Sequence, residues 1–444
     1  MKRILLLFFV CTLFVASCAP ATPIATATAS LTPSQTLSPT ITPAPSQTPS
    51  MTVTPTVTPT HAFLINSQCP TFSNALPKGL AKGVISYWGR YSTFGVLLNL
   101  ENEQKDLLPG GNGAKAFVSL DRNKIAYSDH DPNTLVSFLV VRVLNDQKKI
   151  ELPWPSPQHG LSNWIDNERL LLTDYSNDPP YSNLVLDPVT NETILLIPDF
   201  PNISRKEIDW NSAGSAAYNQ TLDYVVYAEW DEAKNEHKYV LWHIPSQTKL
   251  AELPGNSYGG FSVAYAELLP IDGVSYNPPV WSTDDTRVVV ISSSPGNSKV
   301  DEIFAMTKDG DTQQLTEFFS QFEENNIRTL SWAPDGRQLA FFMTTELGAF
   351  GAPRNERLAI LDTKTREVKL YCLDGDIVGT RAGMFIGDEE QAPAPLWSSD
   401  GTQIVVENRY EGDASRLVLL DIPSNTAYEI GQNMQPLGWM LSEP

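Results

Sequence analysis

The sequence predicts an all-β protein: a seven-bladed β-propeller closed by its C-terminal strand, after a disordered Thr/Pro-rich tether. Three observations carry this. A hairpin unit recurs six times between residues 116 and 407. A second kind of hairpin recurs seven times and alternates with the first. Two strands without a hairpin of their own stand at the ends of the repeat region, where each supplies what the other lacks. Repetition at this period is the mark of stacked supersecondary units.

Ahead of the repeats, Lys2 and Arg3 precede an apolar run from Ile4 to Val15, too short for a mature membrane span. This layout predicts a secretory signal peptide over residues 1–17. The run ends in Val15-Ala16-Ser17-Cys18, which resembles a bacterial lipobox. The resemblance implies cleavage before Cys18, its lipidation with several acyl chains, and export to the extracytoplasmic side of a membrane. Residues 18–61 are almost entirely Thr, Pro, Ser and Ala. Such a composition cannot bury enough apolar surface to offset ordering entropy, so a tether leaning to polyproline II is expected. At ~3.1 Å per residue it would reach on the order of 100 Å.

Residues 62–444 form the predicted propeller domain. The first hairpins are clearest in PVWSTDDTRVVVI (279–291), LSWAPDGRQLAFF (330–342) and PLWSSDGTQIVVE (395–407). Weaker copies are AFVSLDRNKIAYS (116–128), LSNWIDNERLLLT (161–173) and IDWNSAGSAAYN (208–219). Each reads as an apolar strand, a tight turn built on Asp-Gly or its like, and a β-branched or aromatic strand. Second hairpins follow at 97–108, 141–152, 184–196, 240–253, 303–315, 358–370 and 417–430. The earliest has only one strand, Val84–Trp88, before it. Gln435–Met440 looks like the opening of a repeat that stops after its first strand. Closing the ring with that strand leaves no free edge.

The motif W-S-x-D-G-x-x-[IV]-[AV] resembles the TolB-like, WD-repeat-like β-propellers over nearly all of 79–444. The resemblance implies structural roles for the repeated residues. Trp281, Trp332 and Trp397 fill contacts between blades, while Asp284, Asp335-Gly336 and Asp400-Gly401 order turns. TolB acts through protein partners in the cell envelope, but its extra α/β domain is replaced here by the tether.

Gly255-Asn256-Ser257-Tyr258-Gly259 has the G-x-S-x-G spacing of an α/β-hydrolase nucleophile elbow, and resembles that of the dipeptidyl-peptidase branch of the prolyl oligopeptidases. An elbow needs a buried parallel strand before the Ser and a helix after it. Ser257 instead follows the closing strand of a blade hairpin that ends in Pro254, and all five histidines (61, 130, 159, 237, 243) lie upstream. It reads as a loop serine, and no catalytic residue is expected.

Of four cysteines, Cys11 leaves with the signal and Cys18 takes the lipid, which leaves Cys69 and Cys372. In an oxidising compartment the pair is expected to form a disulfide, two buried thiols being the alternative. A net charge of −20 without a basic cluster excludes nucleic acid as a partner class. There is no H-E-x-x-H and no Cys/His cluster, and the Asp309-Gly310-Asp311 and Asp374-Gly375-Asp376 runs lack the ligand count of a calcium loop. Neither metal nor cofactor is expected.

Long insertions fall at 255–279, 374–395 and 344–356. Long loops on a rigid scaffold are where ligands are held. Tyr258, Tyr265, Tyr276, Phe350, Arg354 and Arg381 are therefore the candidate binding-face residues, the alternative being loops that only cap the channel. The expected function is a membrane-anchored binding or scaffold lipoprotein presenting this face to a protein, peptide or glycan. The alternative is a propeller enzyme acting on glycans or peptides.

Overall fold

The computed structural model describes residues 63–89, 95–108, 116–130, 136–143, 148–153, 159–174, 182–196, 217–231, 236–254, 279–294, 297–347, 353–354, 356–373, 376–377, 394–409 and 415–441. They form a seven-bladed β-propeller. Each blade has four antiparallel strands taken in chain order from the axis outward, except blade 1. Its innermost strand is the C-terminal Met434–Met440, which pairs with Val84–Gly89, followed by Gly95–Asn99 and Lys105–Leu108. The predicted closure is therefore the one the chain adopts.

Apolar alternation places one face of every blade against each neighbour, and each of the seven seams holds its own cluster of buried side chains. Among the described residues the seam of blades 5 and 6 is the largest and includes Val289, Ile303, Phe318, Leu339, Phe341 and Leu361. Blades 7 and 1 meet through Leu417 and Leu419 against Ile85, Leu98 and Trp439.

The repeated Trp residues lie in these seams. The Trp281 indole N–H donates to the Ala217 carbonyl of blade 4 at 3.0 Å, that of Trp332 to Val280 of blade 5 at 3.2 Å, and that of Trp397 to Ser331 of blade 6 at 3.1 Å. Each indole thus fills apolar space while its one donor stays satisfied.

The turns between first and second strands are held by their aspartates. Asp284 accepts from the Ser282 hydroxyl at 2.6 Å and the Thr286 N–H at 3.3 Å; Asp400 accepts from Ser398 and Thr402 in the same way, at 2.6 and 3.0 Å. Burial alone would raise both carboxyls, but these hydrogen bonds outweigh it and hold them below the usual carboxylate range. Asp335 accepts from the Arg337 N–H at 2.9 Å. The residue after the aspartate is left-handed, which explains Gly336 (φ 66°) and Gly401 (φ 71°).

Blade 4 corrects one sequence alignment. Its inner strand is Ala217–Tyr218 and its second strand Tyr224–Asp231, so the hairpin does not fall on 208–219. Tyr218 stands where other blades have Trp, and Asn219 replaces both Ser and Asp as the turn's side-chain partner. Its amide oxygen accepts the Tyr224 N–H at 2.8 Å, and its amide nitrogen donates to Asp285 of blade 5 at 2.9 Å.

Two short strands that sequence reasoning left unassigned, β1 (Leu64–Gln68) and β2 (Thr71–Ser73), run along the outer rim. β1 pairs in parallel with Glu367–Tyr371 of blade 6, and β2 with Thr426–Gln432 of blade 7. Between them Cys69 is joined to Cys372 by a disulfide with Cα atoms 4.8 Å apart. Phe63 packs edge-on against Phe318 at 5.3 Å, and Phe72 lies under the Arg416 guanidinium at 4.0 Å.

Candidate binding face

Because successive strands of a blade are antiparallel, the links between first and second and between third and fourth strands share one end of the ring. Links between second and third strands, and between blades, share the other. The first end is built from tight turns tied to each other. The Asp121 N–H donates to the Asn167 side chain, Arg169 to the Gln220 carbonyl, and Arg287 to the Gly336 carbonyl, each bond crossing from one blade to the next. All three long insertions belong to the second end. Residues 255–278 join strand Thr248–Pro254 of blade 4 to Val280–Trp281 of blade 5. Residues 378–393 lie between blades 6 and 7, and 348–352 lie between the second and third strands of blade 6.

Arg354 lies in the short strand Pro353–Arg354, where it is the register partner of Glu346. Tyr258, Tyr265, Tyr276, Phe350 and Arg381 lie outside the described residues, as does Ser257. The strand leading to Ser257 is the outer, antiparallel strand of blade 4. A nucleophile elbow is fed by a buried parallel strand instead.

The seam of blades 5 and 6 carries a polar feature that motif reading passed over. Val300-Asp301-Glu302-Ile303 sits in the third strand of blade 5, Asn297–Thr307, with both acids buried. Glu302 accepts from the Thr316 hydroxyl at 2.5 Å and the Phe319 N–H at 2.9 Å, which fixes the connection to blade 6. One oxygen of Asp301 accepts from the Ile327 N–H at 2.9 Å and the Asn326 side-chain amide at 3.2 Å. The Asn326 carbonyl oxygen in turn accepts from the Arg328 guanidinium at 2.7 Å. Two adjacent acids in an apolar strand were a usable signal, since one of them must then face inward.

Burial pushes the Asp301 carboxyl up to about 7, and the neighbouring Glu302 charge adds to it, against the opposing Ile327 and Asn326 bonds and the Arg328 charge. Glu302 is raised as well, again first by burial. A folded value above the unfolded one means that the native state binds more protons, so this contribution to stability is full below about pH 4 and is lost as pH rises through 7. Asp121, Asp284, Asp362 and Asp400 are shifted the other way and weaken the fold only in stronger acid. The melting temperature is therefore expected to peak in mild acid and to fall between about pH 4 and 7, levelling off above. Asp301→Asn can keep both bonds through its amide oxygen. It is expected to flatten that fall, removing on the order of 2–4 kcal/mol of pH dependence, measured by melting curves across the window.

A cleft of about 300 Å³ opens on the rim of the same seam, between Phe322 and Arg357. Among the described residues no three His, Cys, Asp or Glu side chains are grouped as metal ligands, and no helix is long and apolar enough to cross a membrane.

No protein-family model matches the chain, and no curated protein matches it. Solved structures do. TolB from Acinetobacter baumannii is 12% identical with a TM-score of 0.41, over 85% of this chain and 96% of that one. An oligogalacturonate lyase in complex with manganese is 12% identical with a TM-score of 0.46, over 80% and 86%. The β-propeller domain of the Trilobed protease from Pyrococcus furiosus is 13% identical with a TM-score of 0.43, over 72% and 83%. Identities this low carry nothing about activity.

Proposed function

We propose that the chain is an exported lipoprotein, anchored through Cys18, whose propeller binds a protein, peptide or glycan at the end of the ring that carries the long connections. The observation that carries this reading is the asymmetry of the two ends. One end is closed by short turns hydrogen-bonded from blade to blade, whereas the long insertions, and the further connection 197–216 between blades 3 and 4, all belong to the other. The place where the chain joins the ring supports it too. β1 starts with Leu64 opposite Glu367, just after the turn between the third and fourth strands of blade 6, so the chain enters the ring at the turn end.

Two measurements test the proposal. Metabolic labelling with a fatty-acid analogue is expected to mark the wild-type chain and not Cys18→Ala. The full chain carrying Cys18→Ser, applied to glycan and peptide arrays, is expected to bind a subset of ligands. That binding is lost when 259–275 is replaced by a short Gly-Ser linker and is kept by the turn-end variant Asp309→Ser. Ligands that survive the linker replacement would count against the assigned face. Labelling by a serine-hydrolase probe that disappears in Ser257→Ala would move the protein among enzymes.

A further inference from the structure

We propose that the cleft on the rim of blade 6 is a binding site for a small amphipathic monocarboxylate, in which Arg357 receives the carboxylate. The cleft lies at the same end of the ring as the long connections, Thr345 falling within the 344–356 insertion and Arg357 directly after it, and its own lining sets its chemistry. Its lining is mixed: Met343 and Leu370 are buried, Ile65 and Phe322 are half-buried beside them, and polar atoms make up the larger part of the surface that it presents. The polar lining is Ser67, Gln321 and Thr345, all neutral. Among the described residues Arg357 is its one charge, and no acidic side chain lines it. In a chain with 51 acidic and 31 basic residues, that is a local reversal of sign.

The guanidinium is exposed, and among the described residues no hydrogen bond or ion pair engages it. Elsewhere arginines are tied down, as Arg366 is to Glu317 at 2.7 Å and Arg169 to Asp166 at 2.6 Å. An unengaged planar fork with the half-buried Ile65 and Phe322 beside it matches a carboxylate carrying a small apolar group, taken through two parallel N–H···O bonds. A single cation balances a monoanion; a phosphate dianion would leave net charge uncompensated. The volume is at the low end of ligand sites, which suits one apolar residue with its terminal carboxylate rather than a long chain. The site spans three separate segments, because Ile65 and Ser67 come from β1, Gln321 and Phe322 from the blade 5–6 connection, and the rest from blade 6. It is therefore complete only when β1 is docked.

The test is calorimetric titration of the full chain carrying Cys18→Ser with N-acetyl-phenylalanine, its amide, and a tetrapeptide ending in Phe as free acid or amide. The acids are expected to bind, and the amides at least about tenfold more weakly. Arg357→Gln, an exposed change that leaves melting unaltered, should bring the acids down to the level of the amides. Thr345→Trp should abolish binding of both by filling the cleft. Binding of the small acid alone would point to a free metabolite, and binding of both acids to a peptide C-terminus. Equal binding of acid and amide, an acid preference that persists in Arg357→Gln, or no binding of any of the four probes would overturn the proposal. Array ligands whose binding survives replacement of 259–275 but is lost in Arg357→Gln would be assigned to this cleft, which keeps its failure distinguishable from that of the proposed face.

Discussion

Trp439→Ala is expected to cost about 3–5 kcal/mol of unfolding free energy, among the largest effects of any single substitution in the chain. The indole is buried at 4% exposure in the seam between blades 7 and 1, against Ile85, Leu98, Leu417 and Leu419, and its N–H donates to the Lys82 carbonyl at 3.0 Å. Alanine would leave a cavity and an orphaned acceptor at the one seam where the ring is closed by strands from opposite ends of the chain. The same strand serves the next seam, where Met440 packs with Ala116, Ile125 and Tyr127. Its backbone also approaches blade 2 closely, since a Cβ on Gly438 would fall 2.1 Å from the Val118 side chain. Equilibrium denaturation by urea measures the loss. Ending the chain at Asn433 is the harsher version: Val84–Gly89 then exposes an unpaired edge, and aggregation should replace cooperative melting.

Removing the Cys69–Cys372 disulfide is expected to destabilise the fold by about 2–5 kcal/mol. The two residues are 303 positions apart, so the bond constrains most of the unfolded chain. The native state suffers locally as well, because β1 and β2 have only five and three residues to hold them on the rim. Cys69→Ser with Cys372→Ser should therefore lower the denaturation midpoint. Hydrogen exchange should rise first at Leu64–Ser73, ahead of the blade strands. A uniform rise would mean that these strands do not detach separately.

How much of this was legible depends on how local the cause is. The blade turns were legible because Ser, Asp and a left-handed residue act within five positions, as in Ser398-Ser399-Asp400-Gly401-Thr402. Blade 4 was misaligned because Tyr218 and Asn219 do the work of Trp and Asp with different residue types, helped by Asp285 of the next blade. β1 and β2 were not legible, since LINSQ and TFS are short, weakly patterned, and paired in parallel with far-off strands, Leu64 with Glu367 and Thr71 with Thr426. The Asp301 network left a trace, two acids inside an apolar strand, but its partners Asn326 and Ile327 belong to another blade. The cleft around Arg357 left none, because its three walls are distant in sequence.

The rim belt also decides how the ring would respond to force. Tension applied at Phe63 along the axis of β1 would load all of its pairings with Glu367–Tyr371 at once, in shear, instead of peeling them one at a time. Any sliding would be stopped one residue past Gln68, where Cys69 is covalently fixed to Cys372. Tension would then pass into the backbone of blade 6 beyond Tyr371, leaving the non-covalent closure of blade 1 off the path of the pull. A ring dragged by its N-terminal side would thus be gripped at its one cross-linked blade, and would resist opening at blade 1, whose closure is held without a covalent bond.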